Sequence, residues 1–221
     1  MGLQLYGFWR SLATFRVRAA LNLKGLEYTE SIVNLERGEQ FGEAFHHVNP
    51  QHVLPALAHD GLLLTQSMPI VEYLEETFPQ LPLLPADRAG RARVRALAQI
   101  AVADVHPLIT PRVRNYLEAE LGVAEPARLK WIRHWFNLGS IAIEARLNEG
   151  GTGSVAGSFA HGEHITLADL ALVSHVAGAR LFQADLAGAP RLVALADRCL
   201  QHEAVARAHP LAQPGAPAAA R

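Results

Sequence analysis

The sequence predicts a small α/β domain followed by an all-helical domain, and three observations support this architecture. Residues 3–78 alternate between strand-like and helix-like periodicity in the order βαβαββα. Residues 79–90 contain three prolines and no periodicity, which is typical of a linker. From residue 91 to about residue 208 the pattern is helical throughout. The expected boundaries are 1–80 for the α/β domain, 81–90 for the linker, 91–210 for the helical domain and 211–221 for a disordered tail.

The α/β domain is predicted to begin with a strand, a helix, a second strand and a short helix. LQLYGF alternates apolar and polar residues and is rich in strand formers. From about Ser11 the apolar residues fall at helical spacing, and Gly25 ends this helix. YTESIVNL is predicted to be the second strand. GEQFGEAFHHV follows as a short helix that stops before Asn49-Pro50.

A hairpin and a helix complete the predicted α/β domain. Asp60-Gly61 is a strong turn signal, and it lies between two short apolar runs that we predict to be antiparallel strands. MPIVEYLEETF then has apolar residues in helical register, and Pro79 ends that helix.

The second domain is predicted to consist of helices alone. Pro107 and Pro111 are expected to kink the first of them. Thr166 and Asp169 have the spacing of a capping box at the start of the third, which we interpret as a folding signal. The predicted helices lie at about 91–120, 126–148, 167–182 and 190–200.

Composition excludes several classes of function. The net charge of −1 gives no global field that would recruit nucleic acid or an anionic membrane. The single cysteine, Cys199, excludes an internal disulfide and any multi-cysteine metal site, and the 11 histidines show no metal-ligand spacing. No signal peptide and no run of 18 apolar residues is present. We therefore expect a cytoplasmic, soluble protein that has no metal, membrane or nucleic-acid partner.

Two short segments are candidate binding sites on residue type and position alone. Gln66-Ser67 lies between an apolar strand and a helix, where free N–H groups bind anions, although an ordinary helix cap explains the pair equally well. Leu54-Pro55 stands at the start of a strand. A trans bond is the default there, whereas a cis bond would leave the Leu54 backbone free to pair with an extended peptide.

Five segments, taken in order and spacing, resemble the zeta class of the cytosolic glutathione transferases. This class contains maleylacetoacetate isomerases and glutathione-dependent maleylpyruvate isomerases. The resemblance covers about residues 3–213 and implies a thioredoxin-like, glutathione-binding α/β domain followed by an all-helical substrate domain. The segments are WRSLATFRVRAALNLKG, FHHVNPQHVLPAL, QSMPIVEYLEETFP, LLPADRAGRARVRALA and RLFQADL.

The resemblance assigns the glutathione sulfur to the start of the first helix. Ser11 falls on the first serine of the Arg-Ser-Ser-Cys pattern of the class, which is the serine that contacts the sulfur. Leu12 and Ala13 replace the second serine and the cysteine, and both replacements remove polar groups. Arg10 is expected beside the sulfur, where it takes part in catalysis and binds a substrate carboxylate.

The resemblance also indicates which residues bind the rest of glutathione and the substrate. Leu54 is expected to pair with the cysteinyl backbone of glutathione, Pro55 to be the cis proline of the class, and Gln66 and Ser67 to hold the γ-glutamyl group. Arg112 and Arg180 are implied as ligands of a dicarboxylate substrate. The implied glutathione-binding residues are Ser11, His52, Leu54, Pro55, Gln66, Ser67 and His106.

The expected function is glutathione-dependent cis–trans isomerisation of maleylacetoacetate or maleylpyruvate to the fumaryl isomer, in aromatic or tyrosine catabolism. One alternative is a general glutathione transferase or a dehalogenase of small α-halo acids, which the class also contains. Another is a non-catalytic glutathione-binding relative, an interpretation that Leu12 and Ala13 favour. The resemblance further implies a homodimer.

Overall fold

The structure, a computed structural model, describes residues 2–149 and 157–217 of the chain. The contacts between residues divide the chain into two compact units. The first contains residues up to Pro82 together with residues from Gln201 onward, and the second is Leu83–Leu200. The C-terminal residues therefore belong with the α/β part of the chain, whereas the sequence assigned residues up to 210 to the helical domain.

A four-stranded sheet forms the centre of the first unit. Its strand order is β2-β1-β3-β4, with β1 and β2 parallel and the other neighbours antiparallel. The parallel pair is connected through a helix, and the antiparallel pair β3–β4 is joined at Asp60-Gly61, as the sequence predicts. The strands are β1 (Leu3–Gly7), β2 (Tyr28–Ile32), β3 (Ala56–His59) and β4 (Leu62–Thr65).

Two helices of the first unit pack on α1, which is buried along most of its length. α1 contacts both α3 and α10, so the C-terminal helix completes the cover of this helix. The predicted helix at 38–48 is instead a 3₁₀ turn at Glu39–Phe41 followed by a short α2, because Gly42 is extended between them (φ −69°, ψ 150°). The α-helices are α1 (Leu12–Leu23), α2 (Glu43–His46), α3 (Ser67–Thr77) and α10 (Glu203–Ala208).

Two buried ion pairs fix α1 to its neighbours. The Arg18 Nε atom lies 2.8 Å from Glu30 Oε2 in β2. At the C-cap of the helix, the Lys24 Nζ atom donates to Glu75 Oε2 at 2.7 Å and to the carbonyl oxygen of Phe78 at 2.8 Å. These contacts attach α1 to the sheet at one point and to the carboxyl end of α3 at another.

The second unit is helical in all its described regular elements, as predicted, but its first predicted helix is interrupted. A π-helical turn, Ile100–Val105, follows α4, and the extended residue Thr110 (φ −65°, ψ 157°) separates α5 from α6. Thr110 precedes Pro111, and a residue before proline is disfavoured in a helix. The helices are α4 (Arg88–Gln99), α5 (His106–Ile109), α6 (Pro111–Ala119), α7 (Glu125–Asn148), α8 (Leu167–Leu181) and α9 (Pro190–Gln201).

The predicted capping box at the start of α8 is present and buried. Asp169 Oδ2 accepts hydrogen bonds from the Thr166 N–H at 2.7 Å and from the Thr166 hydroxyl at 2.8 Å, while Oδ1 accepts from the Ala160 N–H at 2.8 Å. Burial raises the pKa of Asp169 to about 6, although the three hydrogen bonds oppose that shift. The carboxyl group thus ties the segment before α8 to its first turn.

A disordered tail from residue 211 is a wrong prediction for residues 211–217. Pro210–Ala212 forms a 3₁₀ turn, and the Gln213 side chain donates to the carbonyl oxygens of Arg207 at 2.6 Å and His209 at 3.1 Å. Composition suggested disorder because prolines and alanines offer few side-chain contacts. Here the carbonyl oxygens of Arg207 and His209 accept hydrogen bonds from Gln213, and Ala216 packs in a hydrophobic cluster. The rest of the predicted tail, 218–221, lies outside the described residues.

Among the helices of the described ranges, none is both long and apolar enough to cross a membrane.

Replacement of Asp169 by alanine is expected to destabilise the protein by about 3 kcal/mol. The change leaves the buried N–H groups of Ala160 and Thr166 without their acceptor, and each unsatisfied group costs about 1–3 kcal/mol. Equilibrium unfolding in urea measures the loss. Asp185→Ala is the matched control, because Asp185 is exposed and its carboxylate accepts only from the nearby Ala187 N–H. Equal losses for both variants would contradict the role assigned to the buried carboxyl.

Candidate functional site

Three predicted glutathione-binding segments lie at one end of the sheet. Tyr6 pairs with Ala56, and Ala56 pairs with Thr65. The carboxyl ends of β1 and β4 therefore meet the amino end of β3. The segments that follow or precede these strand ends are the loop 8–11, the pair Leu54-Pro55 and the pair Gln66-Ser67.

Ser11 is the N-cap of α1, and its hydroxyl hydrogen is available to a ligand. The Ser11 Oγ atom accepts from the Thr14 N–H at 3.1 Å, while the Ser11 N–H donates to the Phe8 carbonyl oxygen at 3.1 Å. Within the described residues no acceptor is found for the Ser11 hydroxyl or for the N–H groups of Leu12 and Ala13. One hydroxyl and two N–H donors are thus available at this helix end, which is where an anion binds most favourably.

Arg10 precedes this helix end and forms an ion pair with Glu36. Its Nη1 atom lies 3.7 Å from Glu36 Oε1, and the two side chains are 37% and 55% exposed. An exposed ion pair of this length contributes little to stability. The guanidinium can therefore change partners when another carboxylate approaches.

The Leu54-Pro55 bond is cis, as the resemblance implies. Leu54 is buried in a hydrophobic cluster that also contains Phe8 and Trp9 from the loop before Ser11. In the described part of the chain, the Leu54 N–H and C=O have no hydrogen-bond partner. The Leu54 backbone thus offers one donor and one acceptor, the pair that an extended peptide needs.

His52 is held in one tautomer beside this loop. Its Nδ1 atom lies 2.7 Å from the Gln40 carbonyl oxygen, so Nδ1 carries the proton and Nε2 is the remaining ring acceptor. The ring packs against Phe41 and His46, with ring centroids 5.5 Å and 5.2 Å away. His52 also has a positive φ of 56°. Its backbone N–H donates a hydrogen bond to the Asn49 carbonyl oxygen.

Gln66 is the N-cap of α3, and Ser67 is the first residue of that helix. Gln66 adopts φ 69° and ψ 122°, a conformation that is strained for any residue with a side chain. Its amide donates to Gln51 Oε1 at 3.0 Å. No acceptor is found among the described residues for the N–H groups of Ser67 and Met68. The amino end of α3 is a second place where an anionic group can bind.

The predicted site residues of the second unit, one for glutathione and two for the substrate, lie on three different helices. His106 begins α5 directly after the π turn, and Arg112 is exposed on α6. Arg180, in the last turn of α8, forms an ion pair with Asp197 of α9 at 2.8 Å, and the two side chains are 43% and 51% exposed. Asp197, like Glu36 and Gln51 in the first unit, was not singled out from the sequence, because an isolated polar residue on a surface carries no pattern.

In the described ranges 2–149 and 157–217, no group of three or more histidine, cysteine, aspartate or glutamate side chains is arranged to hold a metal ion.

Known proteins match this chain over nearly its whole length. Residues 1–76 match the family described as Glutathione S-transferase, N-terminal domain. The chain is 41% identical to the probable maleylacetoacetate isomerase of Vibrio cholerae, over 98% of this chain and 99% of the relative. It is 42% identical to the maleylpyruvate isomerase of a Ralstonia species, over 96% of this chain and 99% of that protein.

Solved structures with the same fold carry similar names. The holo structure of a maleylpyruvate isomerase, described as a bacterial glutathione S-transferase of the zeta class, has a TM-score of 0.93 at 42% identity, covering 97% of this chain and 100% of that chain. The maleylacetoacetate isomerase from Methylobacterium extorquens AM1, with bound malonate and glutathione, has a TM-score of 0.93 at 46% identity and the same coverage.

Replacement of Gln66 by glycine is expected to raise the stability of the protein while weakening glutathione binding. Glycine adopts a positive φ without strain, so the free energy of unfolding should increase by about 1 kcal/mol. The lost amide side chain should lower the affinity for glutathione, measured by calorimetry. Asp60→Gly is the control, since Asp60 also has a positive φ but lies in the β3–β4 turn. The affinity of the Asp60→Gly variant for glutathione should not change. An unchanged affinity in Gln66→Gly would exclude the side chain from the site.

Proposed function

Since the chain belongs to the zeta class of the glutathione transferase family, we propose that it is a glutathione-dependent cis–trans isomerase. Its first domain is the thioredoxin-like, glutathione-binding domain of that family, and its second is the all-helical domain. The substrate is maleylacetoacetate or maleylpyruvate, and the product is the fumaryl isomer. The observation that carries the proposal is the set of donors at the amino end of α1. The Ser11 hydroxyl and two backbone N–H groups can donate there to one anion.

The nucleophile has to come from a ligand. The chain has one thiol, Cys199, which is buried in α9, and burial raises the pKa of that thiol, so it stays protonated. When bound, glutathione supplies a thiolate that adds to the cis double bond and leaves again after rotation, so the tripeptide is a cofactor. The task of the protein is to keep that sulfur ionised and to orient it.

The donors at α1 are sufficient for this task. A free thiol has a pKa of about 8.5, and lowering it by about 2 units requires about 2.7 kcal/mol. A hydrogen bond from the Ser11 hydroxyl to a charged sulfur is worth about 1.5–3 kcal/mol, and the helix end adds about 0.3–1 kcal/mol. The backbone N–H groups of Leu12 and Ala13 persist whatever their side chains are. The loss of the serine and cysteine side chains therefore leaves the ionisation of the sulfur possible.

The remaining residues of the first unit suit the rest of the tripeptide. The Leu54 N–H and C=O suit the cysteinyl backbone in an antiparallel arrangement beside Pro55. The amino end of α3, with Gln66 and Ser67, suits the γ-glutamyl carboxylate. We assign His52 and His106 to the glycine end of glutathione, on the resemblance to the zeta class.

Arginines supply the specificity for a dicarboxylate. The relative from Methylobacterium extorquens binds malonate, a dicarboxylate, together with glutathione. We assign the substrate carboxylates of this chain to Arg10, Arg112 and Arg180, since arginine pairs with a carboxylate through two hydrogen bonds. An uncharged electrophile would have no use for these side chains. They favour the isomerase over a general transferase.

An ultraviolet assay with maleylpyruvate, with and without glutathione, distinguishes the proposal from its alternatives. Isomerisation that requires glutathione without consuming it supports the isomerase. Consumption of the free thiol would instead indicate a transferase or a dehalogenase of α-halo acids. No reaction in either condition would indicate a non-catalytic glutathione-binding relative. The proposal also includes a homodimer in the cytoplasm, as in the zeta class.

Replacement of Ser11 by alanine or glycine is expected to raise the pKa of the bound glutathione thiol by about 1–2 units, since either variant lacks the hydroxyl that donates to the sulfur. Titration of the thiolate absorbance measures the shift. The two variants separate this effect from helix capping, because alanine at an N-cap costs about 1 kcal/mol of stability whereas glycine costs a few tenths. A pKa that is unchanged in both variants would remove Ser11 from the site.

Replacement of Arg180 by methionine is expected to raise the KM for the dicarboxylate about tenfold, the effect of losing about 1.4 kcal/mol of charge-assisted hydrogen bonding. Glutathione affinity should stay unchanged. Asp197→Asn is expected to lower the KM for the dicarboxylate, because the carboxylate of Asp197 competes with the substrate for Arg180. An exposed ion pair is worth about 0.2–1 kcal/mol, so the KM should fall by up to about fivefold. A raised KM in Asp197→Asn would show that the ion pair orients Arg180 for binding instead.

A further inference from the structure

The C-terminal segment, defined here as residues 209–217, packs on the loops that carry the glutathione-binding residues. Ala216 is 7% exposed and belongs to the hydrophobic cluster that contains Trp9 and Leu54. Trp9 lies two residues before Ser11, and Leu54 carries the backbone groups assigned to glutathione. Leu211 of the same segment packs against this cluster. The segment thus shares one hydrophobic cluster with residues of the two loops. The other buried members of the cluster are Phe8, Val33 and Phe45.

Hydrogen bonds hold the C-terminal segment in a defined shape. The Gln213 side chain donates to the carbonyl oxygens of Arg207 and His209, and the Ala216 N–H donates to the Gln213 carbonyl oxygen at 3.2 Å. Gln213 is 9% exposed, so its amide makes these two hydrogen bonds from a buried position. Together these contacts direct the chain from α10 toward the cluster.

Two contacts with aromatic rings bring the C-terminal segment close to α1 and to the loop before it. The His209 ring meets the buried Phe15 ring of α1 edge-on, with centroids 5.5 Å apart. Gly215 has a φ of 88° and lies so close to Trp9 that an added Cβ atom would be 3.4 Å from Cδ1 of that ring. Glycine permits the turn, because it adopts a positive φ without strain. The turn then places Ala216 in the cluster.

We propose that the C-terminal segment is a strap that positions Trp9 and Leu54 for glutathione binding. The strap touches neither sulfur nor substrate, and it acts through the residues that it packs against. If it is removed, the loop before Ser11 and the loop before Pro55 lose packing and have to be ordered when glutathione binds, which lowers affinity. This proposal rests on the proposed function, because it uses the same assignment of Ser11 and Leu54 to glutathione.

The first test is truncation of the chain after Ala208, compared with truncation after Pro217, which removes only residues 218–221. We expect the shorter chain to show a KM for glutathione raised about tenfold, the cost of ordering one or two side chains on binding. We also expect a raised pKa of the bound thiol, with a smaller change in kcat at saturating glutathione. A lower unfolding midpoint with an unchanged KM and thiol pKa would reduce the segment to a merely structural role and overturn the proposal.

A point variant keeps the proposal testable if the shorter chain does not fold. Ala216→Asp places a charge in the hydrophobic cluster, and Ala212→Asp makes the same change at an exposed position of the same segment. We expect only Ala216→Asp to raise the KM for glutathione, and the conservative variant Ala216→Ser to retain a value near that of the natural chain. Equal KM values for the two aspartate variants would overturn the proposal.

Ser11→Gly, measured in parallel, separates the failure of the strap from the failure of the site. If Ser11→Gly changes the thiol pKa while Ala216→Asp and the truncation leave the KM unchanged, the site stands and the strap is wrong. If Ser11→Gly changes neither the thiol pKa nor the KM, the assignment of the site is wrong, and with it the function assigned to the strap.

Discussion

The Arg18 guanidinium of α1 forms an ion pair with the Glu30 carboxylate of β2. The pair lies beside Gly7 of β1, which has no side chain to occupy that space. Arg18 is buried, its Nε atom lies 2.8 Å from Glu30, and any Cβ atom at Gly7 would collide with Glu30 and with Thr14. A buried charge that loses its partner costs about 3–5 kcal/mol, so the pair holds α1 in one place on the sheet. Ser11 begins this helix, and its position relative to the sheet depends on that attachment. The start of α1, to which we assign the glutathione sulfur, is therefore held in place by the sheet.

The candidate site consists largely of backbone groups, which do not depend on the side chains at positions 12 and 13. The free N–H groups of Leu12 and Ala13, the N–H and C=O of Leu54, and the N–H groups at the start of α3 are set by the ends of helices and strands. Substitution of a serine or a cysteine at positions 12 and 13 changes none of them. Side chains enter mainly where charge matters, as with Arg10 and Arg180, both of which carry exposed acidic partners.

Features with local causes could be predicted from the sequence, and features with tertiary causes could not. The Asp60-Gly61 turn and the capping box of Thr166 and Asp169 depend on neighbours in the chain, and both are present. The ordering of residues 211–217 depends on a cluster formed by residues about two hundred positions earlier, so composition alone pointed to disorder. Ion pairs such as Arg180 with Asp197 join two helices through exposed side chains, and no sequence pattern marks them. The assignment of the site residues came from the resemblance to the zeta class rather than from spacing.

The most direct test is a crystal structure of the protein with glutathione bound. The tripeptide should lie at the end of the sheet where the loops of residues 8–11, Leu54-Pro55 and Gln66-Ser67 meet, with its sulfur atom within hydrogen-bond distance of Ser11 Oγ and its cysteinyl backbone paired with Leu54. A complex in which the sulfur lies away from the start of α1, or in which the Leu54 backbone has no contact with the tripeptide, would contradict the account.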